Sequence, residues 1–376
     1  MTDYKVPLTK ILDIQPHPGA DRLSIATVYG FQVITQKNKY NIGDKVVYIP
    51  VDSILPAELE ATLFPEGSKV KLHRSRVRQI RLRGLASQGM LIDPTDLNNF
   101  ENMSDYPNLE DDLAAELGIT KYEPPQPGFA NTIGKDKQRN KKQDHPLFHK
   151  YNSVNNIKWF PLMFQEGVDE VVIQEKLHGT NARAGKLPFV TNTFWKKVKK
   201  FLGLAPKSEQ VYGSNNVDIT ARSGYKGFYG EDVYGAVFKK LDVFNKLKDN
   251  ETVFGEIIGP SIQKNYNYGL SEHRFVLFDV KVLQPDGSQV WLIPDEVKVY
   301  AKERGFEMVP ILYKGLYNKE LAYSLTKGDS IYCPTQKVRE GVVIKAVKDY
   351  CVDGNKRALK WINEEYLDKK DNSDYH

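Results

Sequence analysis

The chain has 376 residues, 40% of them hydrophobic and 11% aromatic, enough for two packed domains rather than one. The formal net charge of +5 is too small to mark a partner by itself, so the clustering of basic residues matters more than their number. With Cys333 and Cys351 as the only cysteines, no apolar run near the ~18–20 residues of a membrane span and no signal-peptide pattern at Met1, the sequence argues against a disulfide scaffold and a membrane protein. A reducing, cytoplasmic compartment with both cysteines free is expected.

In the first hundred residues, short apolar stretches at 25–28, 31–34 and 46–49 are separated by Tyr29-Gly30 and by the turn Asn41 to Asp44. This spacing predicts a small all-β barrel rather than a βαβ unit. Between 69 and 83 there are seven Lys or Arg residues and no acid. The reading places Arg74, Arg76 and Arg78 on one strand face, with a bulge before Arg81 and Arg83. A run without counter-charge favours phosphate contact, so these five arginines are the expected phosphate-contacting set. The chain then turns acidic, and Asp111-Asp112 is expected to open a short helix. Prolines from Pro124 and a polar, mostly basic stretch predict a linker over 124–150, between an N-terminal domain at 1–123 and a second domain at 151–376.

The second domain reads as α+β, with longer strands at 170–174, 252–258, 275–282 and 341–347 and helices around 234–247 and 295–304. Phe194-Trp195-Lys196-Lys197-Val198-Lys199-Lys200-Phe201-Leu202 has apolar residues at helical spacing opposite four lysines. The favoured reading is an insertion docked by its apolar stripe; a place beside a substrate groove is the other, and a membrane-surface role has no second feature in its favour.

The strongest chemical signal is Glu175-Lys176-Leu177-His178-Gly179-Thr180-Asn181, directly after the apolar run Val171-Val172-Ile173. A strand that delivers a lysine to a glycine turn aims one amine into a pocket. As a nucleophile that amine must be neutral, which burial and neighbouring positive charge favour. Glu256, in Phe254-Gly255-Glu256-Ile257, and Glu340, in Arg339-Glu340-Gly341-Val342, place carboxylates in apolar strands. Lys356-Arg357-Ala358-Leu359-Lys360 adds a late basic cluster. One lysine, two strand-borne acids and basic side chains for phosphate are what metal-assisted nucleotidyl transfer needs.

This ordered set resembles the covalent nucleotidyltransferase superfamily of ATP-dependent DNA ligases, RNA ligases and capping enzymes. The His-Gly-Thr-Asn form, with His178 where DNA ligases and capping enzymes carry aspartate, is similar to the RNA-ligase branch. The resemblance implies that Lys176 carries AMP and that Glu175, His178, Asn181, Arg183, Arg222, Glu256, Phe275, Lys345 and Lys360 contact ATP or AMP. Glu256 and Glu340 would bind Mg²⁺ or Mn²⁺. Of the two phenylalanines in Phe275 to Asp279, alternation allows only one to line the pocket; Phe275 is expected there and Phe278 in the core. The last motif departs from the family, with Ala358 where a first lysine is common; Lys356, Arg357 or Lys345 are the substitutes in reach.

Upstream, Ile14 to Leu23, Gly43 to Tyr48, Asp52 to Pro56 and Arg83 to Gly89 look like the OB modules used for tRNA binding. Such a module precedes the catalytic domain in a group of RNA ligases. The resemblance therefore implies an N-terminal all-β OB barrel followed by an α+β ligase-type nucleotidyltransferase domain. Its partners would be RNA 3′-hydroxyl and 5′-phosphate ends, with no membrane and no obligate protein partner evident. The rivals are a DNA ligase, a GTP-using capping enzyme, and a non-catalytic RNA-binding protein.

Overall fold

The computed structural model describes residues 4–68, 71–97, 108–122, 144–191, 194–220, 222, 229–352 and 354–369. They fall into two compact units, Met1–Pro124 with Ser153–Met163 and Trp361–His376, and Pro125–Asn152 with Phe164–Lys360.

The first unit carries strands β1 (Leu8–Lys10), β2 (Asp13–Pro16), β3 (Leu23–Val28), β4 (Phe31–Gln36), β5 (Lys45–Ile49), β6 (Ser53–Ile54), β7 (Ile80–Leu82), β8 (Leu85–Ser87), β9 (Met90–Ile92), β10 (Thr120–Lys121) and β11 (Asn155–Asn156), with helix α1 (Ala57–Leu63). β2–β3–β4 form one antiparallel sheet and β1–β5–β9 another. The expected strands at 25–28, 31–34 and 46–49 lie in β3, β4 and β5. β5 shows how a barrel forms from so short a strand. Val46 and Tyr48 enter one apolar cluster and Val47 and Ile49 a second, so both faces are buried.

The boundary expected at residue 123 needs correction. Trp159 packs its ring 5.0 Å from Tyr29, 5.0 Å from Phe31 and 5.6 Å from Tyr48. Gly30 N donates to Lys158 O at 2.7 Å, and a Cβ at Gly30 would stand 2.9 Å from Lys158 Cα. Further on, Gln79 donates to Glu364 O and Asp368. The chain therefore returns twice to complete its first unit, and a cut at 123 would strip Trp159 of its aromatic partners. Most of the expected linker lies outside the described residues.

The helix expected at Asp111 does not form. Asp112 Oδ1 instead accepts from Val6 N at 2.8 Å and Ala114 N at 3.1 Å, fastening the segment to the start of β1, and residues 114–118 make turns. This is the usual competition between an aspartate side chain and the helix backbone.

The arginine run is likewise not one strand face. Arg74 and Ser75 have φ of 57° and 55°, which turns the chain. Arg76 is buried in an ion pair with Asp52 and lies 3.7 Å over the Tyr122 ring. Arg78 donates to Lys369 O at 3.2 Å, and Arg81 pairs with Asp368 at 2.6 Å. Arg74 and Arg83 remain exposed with no such engagement among the described residues. Lys69 lies outside them.

The second unit is two antiparallel sheets. One runs β14 (Ser208–Ser214), β13 (Thr180–Pro188), β15 (Glu251–Ile258), β16 (Arg274–Leu283) and β17 (Gln289–Trp291); the other runs β22 (Ala358–Ile362), β19 (Gly341–Ala346), β12 (Glu170–Lys176) and β18 (Ile311–Leu316). Between β19 and β22 lies the small hairpin of β20 (Cys351–Val352) and β21 (Asn355–Lys356). The helices are α2 (Phe194–Phe201), α3 (Val233–Lys240), α4 (Val243–Lys246), α5 (Pro294–Arg304) and α6 (Lys319–Leu325). Ala182, Ala184, Val253, Ile257, Phe275, Leu277 and Val280 form the inner face of the first sheet, covered by Val237 and Phe238 of α3 and Val297 and Tyr300 of α5. By alternation the other face carries Asn181, Arg183 and Glu256.

Arg76→Ala leaves Asp52 buried without its main counter-charge and should cost about 3–5 kcal/mol of unfolding free energy. Arg74→Ala and Arg83→Ala should stay within roughly 0.5 kcal/mol of the parent. Denaturant titration of the three variants checks this; equal, small effects would return Arg76 to the surface set.

Candidate active site

Register builds the centre of the site. β12 pairs with β19 so that Lys176 stands opposite Gly341, which places Glu340 beside the lysine. Lys176 Nζ lies 2.6 Å from Glu340 Oε1, and His178 Nδ1 lies 3.6 Å from Glu340 Oε2. Glu340 is only 1% exposed, so its charge depends on these neighbours. His178 donates its backbone N–H to Tyr268 at 2.7 Å, and its ring meets Tyr266 edge-on at 4.9 Å.

Gly179 is required by a close approach: a Cβ there would stand 2.3 Å from Ile257 O. Its N–H donates to Glu256 Oε1 at 3.1 Å, and its carbonyl accepts from Gln263 at 2.7 Å. Gln263 belongs to the loop from Pro260 to Asn267 that lines a cleft of about 620 Å³. Glu256 pairs across strands with Asn181. Burial pushes its carboxyl up to about 8, with Glu340 adding to the rise and Lys176 opposing it. Glu256 is thus a group whose ionisation waits on added positive charge.

Three buried polar atoms in this stretch have no hydrogen-bond partner: Gln174 Nε2, Glu175 Oε1 and Asn181 Oδ1. The other oxygen of Glu175 accepts from Ile331 N at 2.8 Å and Tyr332 N at 3.0 Å, so the side chain is firmly aimed. Leaving buried donors and acceptors unmet is costly, and their clustering within 174–181 marks a place for a polar ligand. Gln174 was missed by sequence reasoning. An amide ending the apolar run Val171-Val172-Ile173 was the available signal.

A second cluster surrounds Asp279, which is 1% exposed. Lys345 Nζ is 2.9 Å and Lys356 Nζ 3.2 Å from its carboxylate; Tyr151 donates to it at 2.6 Å and Tyr350 at 2.9 Å. Lys356 also lies 3.3 Å over the Tyr151 ring. Burial works against ionisation of Asp279, but the two lysines outweigh it and hold the carboxyl down at about 2. Burial lowers Lys356 to about 7, with Lys345 adding to the effect. Lys345 is therefore tied to Asp279 in this structure, and Asp279, Tyr151 and Tyr350 are further members that the sequence reading did not name. Lys360 is buried in β22.

Three expected nucleotide contacts need comment. Phe275 and Phe278 are reversed. Phe275 is buried among Phe238 and Phe306, whereas Phe278 is half-buried beside Tyr151 and Lys345. Alternation sets the two on opposite faces, and Phe275 shares the inner one with Leu277; a register shift, with Phe254 opposite Asp279 but Gly255 opposite Leu277, then gives Val280 rather than Asp279 the next inner place. Arg183 is spent on structure: it donates to Ser214 O at 2.9 Å and Phe148 O at 2.6 Å, and burial brings its guanidinium down to about 10. Arg222 is exposed, and among the described residues its side chain makes no hydrogen bond or ion pair.

Among the described residues, no group of three or more His, Cys, Asp and Glu could hold a metal, and no helix is long and apolar enough to cross a membrane. Cys333 and Cys351 are free thiols.

The architecture is that of a ligase-like unit joined to an OB-fold unit. Residues 169–362 match the RNA ligase family model and residues 5–94 an OB-fold domain model. The first match spans more than half of the chain, and the chain belongs to the RNA ligase family. Naegleria gruberi RNA ligase with PPi has a similar fold: TM-score 0.71 and 22% identity over 98% of this chain and 99% of that one. A mutant of that ligase with ATP and Mn gives a TM-score of 0.72 and 22% identity over 98% of this chain and 100% of that one. The phenylalanine–tRNA ligase β subunit of Acinetobacter baylyi is 24% identical over 122 residues, which span 31% of this chain and 13% of that subunit.

Lys356 gives the site a pH signature. Its folded value near 7 lies below the usual lysine value, so between about 7 and 10.5 the unfolded chain binds the extra proton and stability rises with pH. Lys356→Met should flatten that rise, removing roughly 1–3 kcal/mol of the wild-type gain from pH 7 to pH 9. Urea titrations at both pH values measure the difference, and an unchanged slope would show that Lys356 keeps its proton.

Proposed function

We propose that the chain is an ATP-dependent RNA ligase that works through AMP carried on Lys176. The observation that carries this is the Lys176–Glu340 pair at 2.6 Å, set beside Glu256 and the unmet polar atoms of Gln174, Glu175 and Asn181. Lys176 Nζ attacks the α-phosphorus of ATP; an N–P bond forms and pyrophosphate leaves. Glu340 is placed to hold the proton the amine gives up. An RNA 5′-phosphate oxygen then takes the AMP, breaking the N–P bond. Finally an RNA 3′-hydroxyl attacks that 5′-phosphorus and AMP departs. The chain contributes alignment and electrostatics, as phosphoryl transfer in general requires.

Two carboxylates without a complete protein cage suit Mg²⁺ or Mn²⁺, which keep waters and share phosphate oxygens. Glu256 and Glu340 would hold that hydration shell, and the metal would offset charge on the α-phosphate. Phe278 is the ring for the adenine face, and Glu175 and Gln174 supply an acceptor and a donor for its edge. The partners are RNA ends, recognised in part by exposed cations such as Arg74 and Arg83, and free thiols suit a reducing cytoplasm. His178 in place of an aspartate speaks against the DNA-ligase and capping readings.

With α-labelled ATP the wild type should retain label through denaturing gel electrophoresis and Lys176→Ala should retain none, while GTP should label neither. An adduct on the alanine variant would overturn the assignment. Acceptance of a deoxyribose 3′-end as readily as ribose would move the substrate to DNA.

Phe278→Ala should raise the ATP concentration for half-maximal labelling about tenfold or more, the cost of a lost stacking contact. Phe275→Ala should instead cost about 3–5 kcal/mol of stability. Comparing labelling curves and melts of both variants decides which ring meets the nucleotide.

A further inference from the structure

The basic helix α2 does not dock. Phe194 is 71% exposed, Trp195 73%, Phe201 89%, Leu202 58% and Leu204 70%, and α2 has no buried residue. It is nonetheless well built. Gly203, at φ 68°, ends it with two capping bonds, Leu204 N to Lys199 O at 2.9 Å and Gly203 N to Lys200 O at 3.1 Å. At its base, Lys196 pairs with Glu209 at 2.6 Å, next to the β13–β14 pairing that ends at Pro188 and Ser208. An ordered helix is thus held on a two-stranded stalk with its apolar side uncovered in this chain.

Its two faces are cleanly divided. At helical spacing Phe194, Trp195, Val198, Phe201 and Leu202 share an arc of about 120°. Lys196, Lys197, Lys199 and Lys200 occupy the rest, with Lys197 and Lys199 flanking the arc on either side. From 190 to 207 there are five lysines and no acid.

We propose that this finger, residues 194–204, is a docking surface for a lipid bilayer with anionic headgroups. The proposal goes beyond the ligase reading and does not rest on it. The apolar arc enters the boundary between headgroups and acyl chains, and the flanking lysines stay at headgroup level. A second copy of this chain fits poorly, since joining two such faces would bring lysine flanks together with no acid between them. Single-stranded RNA fits less well, because stacked bases would occupy only Phe194 and Trp195 and leave the aliphatic part of the arc, Val198 and Leu202, in water. A bilayer needs only the segregation that α2 has. The proposal departs from the expectation of no membrane partner, and the expected docking of the stripe onto its own body is not what the structure shows.

The test is sedimentation of the full chain with vesicles of phosphatidylcholine alone or mixed with phosphatidylglycerol, at low and high salt. The wild type should bind the anionic vesicles at least tenfold more strongly than the neutral ones, and less at high salt. Trp195→Glu with Phe201→Glu should lose that binding. Lys197→Glu with Lys199→Glu should lose roughly twenty-fivefold or more, since each lysine near such a surface is worth roughly fivefold. Thermal melts within about 2 °C of the parent confirm folding, as every substituted side chain is exposed. Failure of the wild type to bind anionic vesicles, or binding kept by the apolar-face variant, overturns the proposal. RNA mobility shifts weakened by that variant, in a chain that ignores vesicles, would assign the finger to RNA instead.

Discussion

A lysine and a buried glutamate 2.6 Å apart organise the ligase-like unit. Neither group could sit there alone, because Glu340 is shielded from water and an unpaired charge in such a place is costly. The pairing follows from the β12–β19 register, which sets Lys176 against Gly341. A slip of one residue would turn the lysine to the opposite face. The Gly179 turn then carries the chain directly against Ile257, where no side chain fits, and brings Glu256 up to the same centre. One strand pairing and one forced glycine together bring Lys176, Glu340 and Glu256 to one centre.

The Asp279 cluster lies beside the last motif. Ala358 stands where a lysine is common in the family the motifs resemble, and two other lysines, Lys345 and Lys356, converge on one buried carboxylate. Burial is what chiefly lowers Lys356 towards neutrality, and the second cation, Lys345, adds to the fall while Asp279 opposes it. The register shift opposite Gly255 turns Asp279 away from the apolar core, where Val280 takes the next inner place. Position along a strand is therefore not enough to tell which face a residue takes.

The same contrast runs through the basic segments. Arg76 and Arg81 belong to an unopposed run in sequence, yet each meets a carboxylate from elsewhere in the chain, Asp52 and Asp368. The lysines of α2 have one partner of that kind, Glu209 on Lys196, and the helix keeps its apolar face in water. Charge runs are thus neutralised or left open by residues that local composition does not reveal.

By itself the sequence determined the order of chemistry. Lys176, Glu256, Glu340 and Lys360 are legible because each interrupts or borders an apolar run that reads as a strand, and the β3, β4, β5, β12, β15, β16 and β19 strands were found from the same runs. The OB unit was legible from its turns. Tertiary structure decided what depends on partners distant in the chain: the return of 153–163 and 361–376 to the first unit, the burial of Arg76 and Arg183, and the turns that replace a helix after Asp111. It also decided that Phe275 takes the inner apolar face and Phe278 the half-buried one, a choice of face that alternation alone leaves open. Local periodicity is written in neighbouring residues, whereas registers, counter-charges and uncovered faces are set when segments far apart in the chain meet.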